Sequence, residues 1–524
     1  IPIDGGEGPL YQLGGFGPLI DERSYVAPTA VVVGDVKTAE STSIWFSTVM
    51  WGSGAAITLG ARSNVQDNSI LVTDAYRGPI TIGDDVTIGH NVRMGACTVG
   101  DECLIGMGAQ IGDGVVVENG RILAIDSNHS LLKKHPEAVQ VDLRHHIVMP
   151  GLINAHGHLA MSLLRGLGEG HLLDTWLREV IWPLETRFVS PDFVAAGTRL
   201  AIAEMLSRGV TTASDMYYFP EVTAAIAAEL GFRAQIAFPV IEQRNSYSNT
   251  ADECIHRGVE LNDAYRTAKT IHLAFGPHAA YTVPKDTLTR VFTLAAEIGI
   301  PIQMHIHETR QEVRNAHEKL GSSWIEYLDR YGMLVPELQA VHMTSLTPEE
   351  IQRVAERDVK VIHCPYSNLK LNSGRCPISD LYSAGITVAL GTDGAASNNA
   401  LDLLGEARLA ALLANDGTEN PSRVTSEQIL ESATLGGARA LGLEAETGSI
   451  ESGKAADLIA IDVDNPGLQP LFDAHAQLIH TAAANQVSHT WVEGKLLYEN
   501  GSHIGLDVNE VVATARTWRD RLST

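Results

Sequence analysis

The chain has 524 residues, of which 44% are hydrophobic, a composition expected of a soluble protein with two or three domains. Its 38 basic and 63 acidic residues leave a net charge of −25, which argues against nucleic acids and anionic membranes as partners. No apolar run reaches the roughly 18 residues of a membrane-spanning helix. Five scattered cysteines, an odd number, favour reduced thiols and a cytoplasmic location.

Residues 1–114 carry a hexapeptide repeat instead of the period of a helix or a strand. An aliphatic residue followed by glycine recurs at Ile82-Gly83, Ile88-Gly89, Met94-Gly95, Val99-Gly100, Ile105-Gly106 and Ile111-Gly112. Such a period is typical of a β-helix, in which each repeat forms one short wall and one corner. We therefore expect a left-handed β-helix over 1–114, a fold that serves enzymes, acyl-transfer modules and plain trimerisation units.

The segments 115–147 and 445–500 are predicted to pair into one small β-domain, a β-sandwich that flanks the central part of the chain. The first segment is strand-like on both sides of Glu118-Asn119-Gly120, a sequence typical of a hairpin turn. The second contains the β-rich runs 458–463 and 487–498. Residues 501–524 predict a C-terminal helix, from about Val508 to Leu522.

Eight continuous apolar runs with helical stretches between them occupy the middle of the chain. They are 147–156, 210–216, 232–238, 270–278, 300–308, 339–343, 359–365 and 385–393. Continuous apolar strands indicate burial on both faces, as in parallel sheets. The pattern predicts an α/β fold, a (β/α)8 TIM barrel over 148–444, with its active site at the carboxyl ends of the strands.

Three of these runs end in residues that bind metals. His156 and His158 follow the first run, His305 lies in the fifth, and Asp393 ends the eighth. Residues i and i+2 of a strand share one face, so His156 and His158 can point at the same ion. Three imidazoles and a carboxylate suit Zn²⁺ or another borderline divalent metal. Other runs also end in ionisable residues, as a catalytic mouth requires and core packing does not: Asp215, His278 and His342.

Residues 115–500 resemble the amidohydrolase superfamily, and within it the methylthioadenosine/S-adenosylhomocysteine deaminases. The resemblance rests on runs at most of the predicted strand ends: Pro150–His158 (PGLINAHGH), Trp182–Glu185 (WPLE), Phe275–His278 (FGPH), Met304–Thr309 (MHIHET), Ser367–Leu371 (SNLKL) and Gly391–Asn399 (GTDGAASNN). These runs are specific to the aminopurine-deaminase branch rather than to barrels in general.

The resemblance implies one metal per chain, most simply Zn²⁺, held by His156, His158, His305 and Asp393. Two-metal members need a carboxylated lysine at the end of the fourth strand, where this chain has His278. The resemblance also implies roles in catalysis and substrate binding. Glu308 would shuttle a proton to the purine ring, His342 would orient the attacking water, and Asp393 would accept the proton of that water. The expected substrate contacts are Glu185, His278, Glu308 and Ser397, with Asn368 as a weaker candidate.

Two departures from the family pattern concern the substrate site. Some members carry an arginine at the end of the third strand, where this chain has Phe238. The usual proline after the fourth-strand His-Ala is Ala280. The first departure leaves the exact nucleoside open. The family's upstream strands are also replaced by the hexapeptide region.

The hexapeptide region in turn resembles the γ-class carbonic anhydrase-like proteins, through Asn64–Ser69 (NVQDNS) and Thr87–His90 (TIGH). That family binds zinc through three histidines across a trimer interface. Only His90 matches here; the other two ligand positions are Val72 and Gly95, and the upstream Arg and Asp are Trp51 and Ser53. One imidazole does not hold a catalytic zinc, so we expect this domain to be catalytically inactive.

Several functions remain open from the sequence. The leading hypothesis is a zinc-dependent deaminase of methylthioadenosine or S-adenosylhomocysteine, a small-molecule nucleoside enzyme that forms a homo-oligomer. The main alternative is another deaminase or chlorohydrolase of the same branch, acting on free aminopurine or pyrimidine bases or on aminotriazines. The remaining hypotheses are a non-catalytic trimeric scaffold and a carbonic anhydrase. The complete ligand set argues against the first, and Val72 and Gly95 argue against the second. The sequence does not decide the 5′-substituent preference.

Overall fold

The computed structural model describes residues 8–524 except 74–77, 96, 102, 106–109, 112, 128–130, 132–133, 144 and 417–422. The chain forms two compact units. One comprises Ile1–Asp142, Glu451–Gly453 and Leu468–Gln477, and the other Leu143–Ile450, Lys454–Gly467 and Leu478–Thr524. Within the described residues, no helix combines the length and apolarity that a transmembrane span requires.

Short strands that pair in parallel build most of the first unit. Tyr25 pairs with Ser43, Ser43 with Asn64, Asn64 with Thr87, and Thr87 with Leu104. The strands are Leu10–Tyr11, Tyr25–Val26, Val31–Thr38, Ser43–Ile44, Val49–Leu59, Asn64–Val65, Ile70–Thr73, Ile80–Ile82, Thr87–Ile88, Arg93–Met94, Cys97–Val99, Leu104–Ile105 and Gln110–Ile111.

The core of this unit consists of the aliphatic residues of the repeat. Ile82, Ile88, Met94 and Val99, which precede glycines in the predicted steps, are all buried and pack in one hydrophobic cluster. The last two steps end at Gly106 and Gly112, which lie outside the described residues. One aliphatic side chain per repeat therefore faces inward, as the hexapeptide spacing requires.

The predicted hairpin is confirmed. Strands Asp113–Glu118 and Arg121–Ser127 pair antiparallel, with Glu118 opposite Arg121. Asn119 and Gly120 form the turn at φ angles of 51° and 85°, the left-handed values that a two-residue type I′ turn needs at both positions. These two strands form a sheet of their own.

The second unit contains a small antiparallel sheet of five strands, in the order His146–Pro150, Leu458–Asp462, Val487–Val492, Lys495–Glu499 and Ser502–His503. The segments before and after the barrel thus pair with each other, but only the last residues of the 115–147 segment take part. The sequence predicted a β-sandwich at this place, whereas the described strands that flank the barrel in this unit form a single sheet.

The same unit holds a barrel of eight parallel strands in sequence order, as predicted. They are Leu152–Gly157, Val210–Asp215, Arg233–Val240, Ile271–Pro277, Ile302–Ile306, Leu338–His342, Lys360–His363 and Val388–Leu390. A backbone hydrogen bond of 3.0 Å from Asp393 N–H to the carbonyl of His156 joins the end of the barrel to its beginning.

The first predicted run, 147–156, proved to be two strands that belong to different sheets. The chain divides at Gly151, between Pro150 of the small sheet and Leu152 of the barrel. A Cβ atom at Gly151 would lie 2.1 Å from Oγ1 of Thr211, so only glycine allows the neighbouring barrel strand to approach this closely. An unbroken apolar run does not reveal such a change of sheet.

Helices connect and cover the barrel strands. Helical segments in the described chain are Leu159–Leu164, Leu173–Thr175, Trp176–Ile181, Trp182–Phe188, Pro191–Ser207, Pro220–Leu230, Ala251–Tyr265, Lys285–Ile298, Arg310–Leu320, Trp324–Arg330, Pro348–Glu356, Pro365–Lys370, Ile378–Ser383, Ala395–Asn398, Leu403–Asn415, Ser426–Ser432, Leu435–Leu441, Ala474–His480, Ala483–Gln486 and Val508–Leu522. The last confirms the predicted C-terminal helix.

A buried ion pair ties the barrel to the small sheet. Arg233, at the start of the third barrel strand, is fully buried. Its guanidinium donates to Asp457 at 2.6 and 3.2 Å and to Glu493 at 3.0 Å. Asp457 also accepts the backbone N–H of Glu493. The pair is therefore fully hydrogen-bonded, which is the condition under which a buried ion pair is tolerated.

We expect Arg233→Met to destabilise the protein by about 3–5 kcal/mol, because it leaves the carboxylate of Asp457 buried without its cation. The measurement is chemical denaturation followed by circular dichroism. Arg199→Met is the matched control, since the Arg199–Glu229 pair lies on the surface and its loss should cost less than about 1 kcal/mol. Equal effects of the two changes would contradict the assignment of Arg233 as a structural tie.

Candidate metal centre

Four side chains from three widely separated parts of the chain converge at the carboxyl end of the barrel. Nε2 of His156 lies 3.2 Å from Nε2 of His305 and 3.6 Å from Oδ1 of Asp393. Nε2 of His158 lies 3.2 Å from the same carboxylate oxygen. The predicted ligand set is thus brought together by the first, fifth and eighth strands.

Three of the separations among these donor atoms fit one small metal ion. The four residues fall into two overlapping groups, in which His156 is shared between His305 on one side and His158 with Asp393 on the other. Zinc binds nitrogen and oxygen ligands at roughly 2.0–2.2 Å, which places neighbouring ligand atoms of a tetrahedral site about 3.3–3.5 Å apart. The separations of 3.2, 3.2 and 3.6 Å between the donor atoms lie close to that range. The donor set, three imidazole nitrogens and a carboxylate, is one that borderline divalent metals accept.

The hydrogen bonds behind the rings set the tautomer of each histidine. Nδ1 of His158 faces the carbonyl oxygen of Met216 at 2.5 Å, and Nδ1 of His305 faces that of His278 at 2.6 Å. A carbonyl oxygen only accepts, so Nδ1 must carry the proton and Nε2 presents its lone pair to the centre.

Gln303 performs the same task for His156. Its Oε1 accepts from Nδ1 of His156 at 2.8 Å. Its Nε2 lies within hydrogen-bonding distance of Ala155 O, Ser214 Oγ and Gln339 Oε1, and these acceptors hold the amide with its oxygen toward the histidine. The whole group is buried below the metal centre.

Asp393 is prepared to remain ionised. Its Oδ2 accepts from Ser367 Oγ at 2.6 Å, and its Oδ1 accepts from the backbone N–H of Gly394 at 2.7 Å. Burial by itself raises the pKa of Asp393, but hydrogen bonds and charge from His156 and His158 outweigh burial and hold the pKa well below its usual range. A metal ligand must be deprotonated, so this environment suits that role.

Two further predicted residues stand beside the ligand set. Oε1 of Glu308 lies 3.7 Å from Nε2 of His342, and Nδ1 of His342 lies 2.9 Å from Oδ1 of Asn368. A nitrogen of His342 also falls within 4.8 Å of ring nitrogens of His156 and His305. The arrangement places an acid and an imidazole next to each other at the edge of the centre.

Glu308 is buried, and burial raises its pKa to about 8, so in the metal-free site it holds a proton at neutral pH. Its backbone is fixed by Glu312, which accepts the N–H groups of His307 and Glu308 at 3.1 and 2.8 Å. A carboxylic acid that is both protonated and rigidly positioned can act as a general acid.

An open cavity lies over this centre. Eight of the predicted site residues line it: Glu185, His278, Ser397, His158, His305, Glu308, His342 and Asp393. Among the four candidate metal ligands, His156 lies outside the lining and is fully buried. Burial raises the pKa of Glu185 to about 7 and lowers that of His278 to about 4. The predicted catalytic and substrate-binding residues thus line one cavity.

Sequence reasoning missed several side chains in this cavity and behind it. Tyr217 donates to Oε1 of Glu185 at 2.8 Å, and Gln303 and Glu312 were not singled out. The cavity also has an aromatic wall from the segment after the first strand, with Trp176 and Trp182. The apolar character of 172–184 was the available signal for that wall, whereas no pattern marked the other three residues.

Comparison with known proteins follows the same division of the chain. Residues 147–497 match the model of the Amidohydrolase family. A 5-methylthioadenosine/S-adenosylhomocysteine deaminase from Teredinibacter turnerae is 40% identical over 408 residues, 78% of this chain and 92% of that protein. A 5′-deoxyadenosine deaminase from Methanosarcina acetivorans is 37% identical over 410 residues, with 78% and 93% coverage.

Two solved structures show the same architecture. An adenosine deaminase from Xanthomonas campestris with bound zinc is 42% identical, has a TM-score of 0.76, and covers 78% of this chain and 94% of its own. Atrazine chlorohydrolase from Arthrobacter aurescens, complexed with zinc, is 25% identical with a TM-score of 0.72 and coverage of 78% and 95%. These similarities concern the barrel and its flanking sheet.

We expect Gln303→Leu to weaken zinc binding by roughly 10–100-fold, because residues that orient a ligating histidine contribute on that scale. Competition with a chelator measures the zinc affinity, and a thermal melt of the apoprotein reports the fold separately. Gln352→Leu, on the exposed face of helix Pro348–Glu356, is the control. Unchanged zinc affinity in a folded Gln303→Leu protein would contradict the role of Gln303.

Proposed function

Because this chain belongs to the amidohydrolase family, we propose that it is a zinc-dependent hydrolytic deaminase of adenosine-type thioethers. It converts 5′-methylthioadenosine or S-adenosylhomocysteine to the inosyl product and ammonia. The observation that carries this proposal is the juxtaposition of four candidate metal ligands, His156, His158, His305 and Asp393, with the buried acid Glu308 beside one cavity. The relatives that carry this activity in their names support the choice of substrate.

One metal ion suffices for this chemistry. His156, His158, His305 and Asp393 would hold it. When bound, zinc makes water a nucleophile at neutral pH. The fourth barrel strand ends at Pro277 and is followed by His278, so no lysine is there to bridge a second ion.

The surrounding residues move the protons. Glu308 donates its proton to the ring nitrogen next to the carbon under attack, and this donation removes the negative charge that would otherwise develop on the purine. Asp393 accepts a proton from the attacking water. His342, held by Asn368, orients that water toward the ring carbon. Asp393 then passes the proton it took from water to the amino group, which leaves as ammonia, while Glu308 assists this departure by taking up the proton of the new hydroxyl as the carbonyl forms.

The ribose is bound on the other side of the cavity. Glu185, fixed by the hydroxyl of Tyr217, faces the ribose hydroxyls together with His278. Burial keeps His278 neutral at pH 7, so its ring can accept as well as donate a hydrogen bond. Ser397 lines the same cavity and is a weaker candidate contact.

We further propose that residues 1–114 form a left-handed β-helix without catalytic activity. The parallel rungs, which pair Tyr25, Ser43, Asn64, Thr87 and Leu104 in turn, support that fold. The proposed domains are then this β-helix, a small β-domain of 115–147 with 445–500, the barrel of 148–444 and the C-terminal helix of 501–524.

The β-helix would assemble copies of the chain into a homo-oligomer. Its exposed aromatic rings support this idea, with centroids of Tyr25 and Trp45 at 5.7 Å and of Trp45 and Phe46 at 6.4 Å. A cytoplasmic location agrees with five scattered cysteines, for which no disulfide is found among the described residues.

Glu308→Gln tests the chemical step. The amide cannot donate a proton in the way the acid does, so we expect kcat for 5′-methylthioadenosine to fall by roughly 10²–10⁴-fold while zinc remains bound. Ammonia release and metal analysis are the measurements, and Glu318→Gln on the exposed face of the following helix is the control. Loss of zinc together with activity would make Glu308 a ligand and refute its role as proton donor.

A further inference from the structure

Resting on the proposed deaminase function, we propose that the 5′ end of the cavity selects a nucleoside with an uncharged 5′ substituent. Methylthio and 5′-deoxy nucleosides would be preferred, and the charged homocysteine tail of S-adenosylhomocysteine would be disfavoured. The inference comes from how polar and apolar side chains divide the cavity.

Ionisable residues occupy the part of the cavity where the purine and ribose must lie. The amino group that leaves has to reach the metal centre and Glu308, and the ribose follows toward Glu185 and His278. The rest of the lining is apolar or aromatic and includes Leu173, Trp176, Leu177, Ile181, Pro239 and Ile241. The group attached to the 5′ carbon, at the far end of the nucleoside, therefore meets this apolar wall.

No lysine or arginine is among the described residues that line the cavity. The acids of the lining are Glu185, Glu308 and Asp393. A carboxylate brought into such an environment loses its hydration and gains no cation, while it is repelled by acids that remain ionised. The homocysteine tail carries a carboxylate and an ammonium group, and both lose their hydration against apolar side chains, whereas a methylthio group carries no charge.

Two cations on elements that form the wall have carboxylate partners. Arg178 binds Asp174 at 2.6 Å and lies over the ring of Trp182 at 5.7 Å. Lys370 binds Glu169 at 3.3 Å and the side-chain oxygen of Asn399 at 2.8 Å. Recruiting either one for a substrate carboxylate would break these contacts.

The wall offers positive recognition of a thioether as well as rejection of charge. Trp176 is a buried member of this wall, and Trp182 also lines the cavity. Sulfur makes favourable contacts with aromatic edges and with other polarisable side chains. A methyl group on that sulfur fills apolar space that the hydroxyl of adenosine cannot use without losing a hydrogen bond to water.

The first experiment compares kcat/KM on the zinc-loaded full chain for 5′-methylthioadenosine, 5′-deoxyadenosine and S-adenosylhomocysteine, by ammonia release. We expect 5′-methylthioadenosine to exceed S-adenosylhomocysteine by at least roughly 100-fold, the scale on which unsatisfied polar groups are rejected. A smaller ratio overturns the selectivity but leaves the deaminase function standing. Absence of ammonia from every nucleoside would instead overturn the proposed function.

A second experiment tests the position of the wall. Ile241→Arg places a cation in the lining, and we expect it to shift the ratio toward S-adenosylhomocysteine by about 10-fold or more. Gln243→Arg adds the same charge two residues further on, at an exposed side chain outside the lining, and should leave the ratio unchanged. Equal shifts in the two variants would overturn the assignment of Ile241 to the 5′ end.

Discussion

The backbone hydrogen bond from Asp393 N–H to the carbonyl of His156 joins the end of the last barrel strand to the first. It also brings the carboxylate of Asp393 against the two histidines that begin the ligand set. Closure of the barrel therefore also brings the carboxylate and the first two histidines of the candidate metal centre together. The mouth of a parallel barrel is suited to this, because every strand delivers its last residues to the same end.

A buried network of hydrogen bonds around Gln303, beneath the centre, holds the candidate ligand His156 in place. Gln303 contacts His156, Ser214 and Gln339 in a region without water-exposed neighbours. Buried polar groups cost free energy unless they are hydrogen-bonded, and a network of this kind leaves few alternative rotamers. The ring of His156 consequently has one orientation before any metal arrives, which favours binding because little order remains to be imposed.

The cavity separates its tasks by chemistry. Acids and imidazoles supply the groups that can move protons, and aliphatic and aromatic side chains make up most of the remaining lining. Such a combination lets one site join a reactive centre to the recognition of apolar groups.

Much of the site was predictable from local patterns. Strand periodicity placed His156 and His158 on one face, and apolar runs that end in His305 and Asp393 indicated which residues would meet at the barrel mouth. Resemblance to a known family added Glu308, His342, Glu185, His278 and Ser397, and the structure places all of them at one cavity. Their catalytic and binding roles remain predictions for the proposed experiments.

The sequence by itself determined the barrel, the candidate ligand residues at its mouth and the hairpin at Asn119-Gly120, because each depends on the period or turn chemistry of a short segment. Only the tertiary structure decided the change of sheet at Gly151, the hydrogen bond by which Gln303 orients His156, and the hydrogen bonds by which Glu312 fixes the backbone at Glu308. Those features depend on a neighbour supplied by a distant or separately folded segment, such as Thr211 against Gly151. The sequence of a short segment does not specify which atoms of distant segments will lie against it in the folded protein.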